Sequence, residues 1–128
     1  LPDRPRMPGR ILVFKLGGTD VAPAYPAPQR LSINLTGVTS TGDEKAGMSL
    51  FEANCSTCHG PSVSGRYLPD LKTSQMILTP TDFQSVVLGG ARKSRGMASF
   101  SRFLTPDQVE SIRAYILKQA RTAQVQGG

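Results

Sequence analysis

The sequence predicts a small all-α domain over residues 41–121, preceded by an extended arm. Two observations carry the helices. Helix-start signals recur at Thr41, Thr79 and Thr105, and an apolar stripe at helical spacing follows the last of them. A third observation makes the helices short: 13 glycines and 10 prolines fall within 128 residues, so turns are frequent.

Residues 1–36 read as an arm or linker and 37–128 as the folded domain. The first ten residues are proline-broken. "RILVFKLGG" predicts one strand, Ile11 to Leu16, closed by Gly17 and Gly18. "VAPAYPAPQ" carries three prolines and predicts a semi-rigid extended linker. "LSINL" (31–35) alternates apolar and polar residues and allows a short strand, which is not stable alone.

Thr41 and Glu44 form a capping-box pair, and Gly47, Leu50, Phe51 and Asn54 then share one helical face. This helix is predicted from about Asp43 to the cysteines. "SVSGRYLPDL" (62–71) is a loop, with a helical turn expected at 70–75. Thr79 caps the next helix, Pro80 takes its first position and Asp82 suits its dipole. Gly89-Gly90 ends it. Thr105 and Gln108 make another capping box. Val109, Ile112, Ile116 and Ala120 give its apolar stripe. "TAQVQGG" is expected to fray.

The formal net charge is +6. A basic balance suits nucleic acid, an anionic surface or an acidic protein. No basic stripe interleaved with aromatics is present, which argues against nucleic acid. No apolar run has membrane-spanning length. Ile11 to Phe14, after Arg4, Arg6 and Arg10, is too short for a signal-peptide core. If the protein is exported, its signal is already gone or lies outside this chain.

The chain's two cysteines and single histidine all lie in "CSTCHG" (55–60). Two cysteines three apart on a helical turn reach one edge of a flat ligand. The adjacent histidine can then turn onto a metal at that ligand's centre. This is the c-type haem attachment pattern, with thioether bonds at Cys55 and Cys58 and His59 as proximal iron ligand. A structural zinc site wants four ligands in two pairs. A redox dithiol does not need His59, and a disulfide across so small a loop staples little. Bound haem would also supply core volume that a small, glycine-rich chain lacks, so the haem-free chain is expected to fold poorly.

No second histidine exists for the opposite face of the iron, and four methionines compete. Met7 lies in the arm. Met48 is expected to pack on its helix, and Met76, beside Ile77 and Leu78, to fill core. Met97 sits in a polar loop after Gly96, which would let backbone approach the ring. Met97 is therefore the expected sixth ligand, and an open or exchangeable site is the alternative. With both positions filled the remaining chemistry is outer-sphere electron transfer. Arg92, Lys93, Arg95 and Arg102 surround Met97, either as a solvated loop or as a basic rim that steers an acidic electron partner.

These residues resemble class I cytochrome c domains over Thr39–Arg121. "GMSLFEANCSTCHG" looks like the family's first helix, and Gly47 and Phe51 correspond to its glycine and aromatic that meet the C-terminal helix. "AYI" (114–116) looks like the matching face, with Tyr115 crossing near Gly47. "LPDL" resembles the loop whose proline carbonyl accepts a hydrogen bond from the proximal histidine. That implies Pro69 behind His59 and Leu71 packing on haem. "GMASF" resembles the methionine-ligand loop, with Phe100 close to the haem. The implied fold is all-α, with three or four short helices around one covalent haem c.

"GRILVFKLGGT" resembles the exit strand of the propeller in quinohaemoprotein alcohol dehydrogenases. These carry a pyrroloquinoline quinone (PQQ) propeller, a proline-rich linker and a C-terminal cytochrome domain. "VSGRYLPDL" and "MASFSRFLTPDQVESIRAYI" are similar to that subgroup too. The resemblance implies a PQQ dehydrogenase domain as donor, a redox protein or electrode-type acceptor, and a periplasmic location in a bacterium. PQQ and calcium would belong to the parent enzyme and not to this chain. A free-standing soluble cytochrome, a haem peroxidase or sensor, and a haem-free dithiol or metal-binding module are the alternatives. Asn34-Leu35-Thr36 matches a glycosylation sequon, which carries little weight because the resembled enzymes are bacterial.

Overall fold

A computed structural model of the chain describes residues 11–21, 24, 32–65 and 68–126. Four α-helices form among them: α1 (Glu44–Asn54), α2 (Ser56–His59), α3 (Pro80–Val87) and α4 (Pro106–Gln126). Single 3-10 turns at Pro61–Val63, Leu71–Thr73, Gln75–Ile77 and Lys93–Arg95 fill the connections, and no strand is formed among the described residues. The chain divides into two units, Leu1–Leu31 and Ser32–Gly128.

The helices start where side chains can take the free N–H groups of a first turn. At α4, the Gln108 N–H donates to Thr105 Oγ1 at 3.2 Å and the Thr105 N–H donates to Gln108 Oε1 at 2.9 Å, as a capping box requires. At α3, Thr79 Oγ1 accepts from the Asp82 N–H at 3.1 Å and donates to its carboxylate at 2.7 Å. At α1 the cap differs from the expected Thr41–Glu44 pair: Asp43 accepts from the Ala46 N–H at 2.8 Å. The reason lies in α4. The chain at Gly42 lies so close to it that a Cβ there would sit 2.4 Å from the Glu110 carbonyl oxygen. The helix therefore starts only after that contact, and Glu44 turns to Lys118 at 2.8 Å.

The core is the crossing of α1 with α4. A Cβ on Gly47 would sit 1.9 Å from the Ser111 carbonyl oxygen, so only glycine lets these backbones touch. Beside that contact the Phe51 and Tyr115 rings pack 5.7 Å apart at 57°, a tilted geometry that aromatic pairs favour. Val109, Ile112, Ile116 and Ala120 are all buried, as their spacing requires.

The backbone of residues 33–43 is gripped by α4, whose partners step backwards as the chain advances. Gln124 donates to the Ile33 carbonyl at 2.8 Å, Arg121 to the Val38 carbonyl, and Arg113 to the Thr39 carbonyl at 2.6 Å. Ser40 Oγ donates to Glu110 Oε1 at 2.6 Å. Ile33 and Leu35 are buried while Ser32 and Asn34 are exposed. The alternation of "LSINL" is thus real over its described residues, but it meets helix side chains and forms no strand.

The predicted strand Ile11–Leu16 is not formed. A strand needs a partner, and Ile11, Val13, Phe14 and Leu16 are almost fully exposed. The turn after it is present, with the Gly18 N–H on the Lys15 carbonyl at 3.0 Å. The first ten residues, with Met7, and nearly all of the proline-rich linker lie outside the described residues. "TAQVQ" was expected to fray and instead continues α4 to Gln126, held by the Gln124 contact. Met48 was expected to pack, yet it is 45% exposed, in a shallow cavity with Tyr115 and Lys118 of α4. Met76 is half-buried beside Ile77, which takes the core position.

Candidate functional site

Cys55, Cys58 and His59 are brought together by the shortness of α2. The Cys58 and His59 N–H groups both donate to the Cys55 carbonyl, at 3.2 and 2.9 Å. Gly60 then closes the turn at φ 79°, with its N–H on the Ser56 carbonyl at 2.8 Å. Both cysteines are free thiols; Cys55 is half-buried and Cys58 exposed. Burial first, then the neighbouring Cys58 and Glu52, push the Cys55 thiol up to about 11. An activated redox thiol is shifted the opposite way.

His59 is buried. Its Nδ1 is closed off from solvent and has no hydrogen-bond partner. Burial lowers the imidazole pKa, and the Pro69 carbonyl pulls it the other way. That carbonyl therefore faces the ring without reaching normal hydrogen-bond geometry. With Nδ1 turned to that carbonyl, Nε2 is the nitrogen left for a metal, and burial favours the neutral imidazole that binds one. Beside two free thiols on the same turn, it fits a covalently held haem.

The other expected residues divide in two. Cys55, Leu71, Met97 and Phe100 are partly buried and pack against the one core cluster. Cys58 and Pro69 are exposed. The Met97 loop hangs from the end of α3: the Phe100 N–H donates to the Val87 carbonyl at 2.8 Å and Ser99 Oγ to the Leu88 carbonyl at 2.5 Å. Gly96 closes the Lys93–Arg95 turn at φ 90°, and a Cβ there would meet nothing within 4 Å. Its glycine is thus required by backbone conformation. Lys93, Arg95 and Arg102 are exposed and Arg92 half-buried. Phe103, which follows Arg102 in the chain, is 73% exposed.

Several contacts around this site were not read from the sequence. The turn after His59 places Ser62 and Val63 at φ 52° and 57°. For a buried, β-branched valine that is a strained conformation, against its propensity, so no sequence signal marks it. Glu52 holds the Ser62 N–H at 2.8 Å and Lys72 Nζ holds the Val63 carbonyl at 2.5 Å. Arg113, 1% exposed, was also missed. It donates to Glu110 at 2.7 and 2.8 Å and to the Ile77 carbonyl at 2.9 Å. A signal for it exists, because it occupies a stripe position of α4 and has an acid three residues before it.

A family model described as cytochrome c oxidase, cbb3-type, subunit III matches residues 42–116, more than half of the chain. The chain belongs to this family of c-type cytochromes. The cytochrome domain is 39% identical over 113 residues to quinohemoprotein alcohol dehydrogenase ADH IIB of Pseudomonas putida, covering 86% of this chain and 16% of that protein. It is 39% identical over 120 residues to 1-butanol dehydrogenase (cytochrome c) of Thauera butanivorans, covering 90% and 17%. Among solved structures it matches quinohemoprotein alcohol dehydrogenase ADHIIG from Pseudomonas putida HK5 at 35% identity, with a TM-score of 0.54 over 90% of this chain and 16% of that one. The chain thus spans about one sixth of the length of these relatives. The all-helical architecture expected from the sequence agrees with these findings. The family implies haem c and an electron-transfer role. Among the described residues no helix is long and apolar enough to cross a membrane.

Proposed function

We propose that this cytochrome domain carries one covalent haem and passes single electrons by outer-sphere transfer. The reading rests above all on His59, a buried imidazole that faces the Pro69 carbonyl, on the same turn as two free thiols. Cys55 and Cys58 would form the thioether bonds, and His59 and Met97 would take the two axial positions. Bound haem supplies a one-electron Fe(II)/Fe(III) couple. The protein's residues do the rest. Leu71 and Phe100 pack apolar surface beside the core and keep water away. Pro69 holds the imidazole through its carbonyl, which sets the tautomer and raises ligand basicity. Met97 would supply the second protein ligand to the iron, which would leave no place for substrate or water to coordinate.

The named relatives support a parent of the quinohaemoprotein dehydrogenase kind. In such a parent a PQQ domain, with its quinone and calcium outside this chain, delivers electrons to the cytochrome domain in the periplasm. The acceptor is a redox protein that meets the basic rim of Arg92, Lys93, Arg95 and Arg102.

The test is intact mass of the chain produced in cells with c-type haem attachment machinery. One added haem is expected, retained under denaturation, and absent after denaturation when Cys55→Ser and Cys58→Ser are combined. A bare chain mass would overturn the proposal.

A further inference from the structure

The turn that follows His59 and the loop that carries Pro69 are in direct contact. A Cβ on Gly65, at φ 64°, would lie 2.9 Å from both Cα and Cβ of Asp70. The Gly65 N–H donates to the His59 carbonyl at 3.0 Å, so this contact reaches the histidine's own backbone. Among the described residues, the Lys72 side chain bonds both segments. Lys72 Nζ donates to the Val63 carbonyl at 2.5 Å and pairs with Asp70 Oδ1 at 3.2 Å. The same Asp70 oxygen accepts the Lys72 N–H at 3.0 Å and so caps the 3-10 turn Leu71–Thr73. The Lys72 side chain is only 19% exposed. Its ammonium is thus spent on two fixed acceptors, one of them in a strained left-handed turn that needs an external hold.

We propose that Lys72 is a positioning residue for His59. Its ammonium ties the Val63 carbonyl, four residues after His59, to the Asp70 carboxylate, the residue after Pro69. That tie fixes the separation between the Pro69 carbonyl and the imidazole. The inference rests on the haem reading for its consequence, because only a metal-bound His59 would feel its ring partner as ligand basicity. The tie itself is independent of that reading.

The experiment is solvent exchange of two protons in the haem-loaded chain, followed by NMR in the ferrous state: the His59 Nδ1–H and the Gly65 amide. Lys72→Met keeps the side chain's length and removes the ammonium. Both protons are expected to exchange at least about tenfold faster, the size of one lost charge-assisted hydrogen bond. Lys72→Arg restores slow exchange at both. Faster exchange at Gly65 alone would make Lys72 a loop staple and overturn its role toward His59. Unchanged exchange at both would overturn the tie. If Lys72→Met does not fold, Asp70→Asn keeps the turn cap and removes the ion pair, and the same two outcomes apply. A wild-type chain without haem overturns the proposed function instead, and Gly65 exchange in Lys72→Met then decides the tie by itself.

Discussion

The Ser111 carbonyl oxygen occupies the place where a Gly47 Cβ would be, 1.9 Å from it. The crossing of α1 and α4 is therefore set by backbone contact, and the Phe51–Tyr115 pair fills the space beside it. Gly47→Ala must push the two helices apart. Overpacking of this kind costs about 1–3 kcal/mol. Urea unfolding of Gly47→Ala is expected to show a lower midpoint at unchanged slope, and an unchanged midpoint would mean that the crossing gives way freely.

Arg113 is the second load on α4. Its guanidinium joins Glu110 to the Thr39 and Ile77 carbonyls. Breaking a buried pair on one side leaves an uncompensated charge, at about 3–5 kcal/mol. Arg113→Ala is expected to unfold within that range below the parent in equilibrium denaturation. Pairing Arg113→Met with Glu110→Leu should recover most of the loss, since no buried charge then remains.

Glu110 gives this network a pH signature. Burial raises its pKa, but hydrogen bonds from Arg113 and then Ser40 lower it further, and the net shift is below the ordinary 4.5. A depressed folded-state pKa means the stabilisation is complete above the unfolded value. It is lost as pH falls through the folded one. Stability should therefore decline below about pH 4.5, and Glu110→Gln should flatten that decline. An acid limb identical in both proteins would remove Glu110 from the account.

Much of this was legible in local sequence. The Thr79 and Thr105 caps, the α4 stripe and the Gly47–Phe51 face depend on neighbours within four residues, and all are formed. What failed depended on distant chain. The Thr41 cap lost to a contact with α4 that lies about seventy residues away. Ile11–Leu16 has strand composition but no strand partner among the described residues. At the site, Cys55, Cys58 and His59 stand out as a motif. Lys72 and Val63 do not, because a left-handed valine and a lysine that holds its carbonyl are tertiary facts.

The basic rim makes a kinetic prediction. Lys93, Arg95 and Arg102, near Met97 in the chain, are exposed, and so is Phe103. Electron transfer to an acidic redox protein should slow as ionic strength rises, because screening shortens the reach of steering. Arg95→Gln with Arg102→Gln should lower the low-salt rate and weaken its salt dependence. If rate and salt dependence both stay unchanged, the acceptor docks elsewhere.

The most direct test of the central claim is the visible spectrum of the oxidised, haem-loaded chain beside that of Met97→Ala. The account predicts a low-spin spectrum with a methionine–iron charge-transfer band in the parent, and loss of that band with a fall in potential in Met97→Ala. A high-spin parent spectrum, or a band that survives in Met97→Ala, would contradict it.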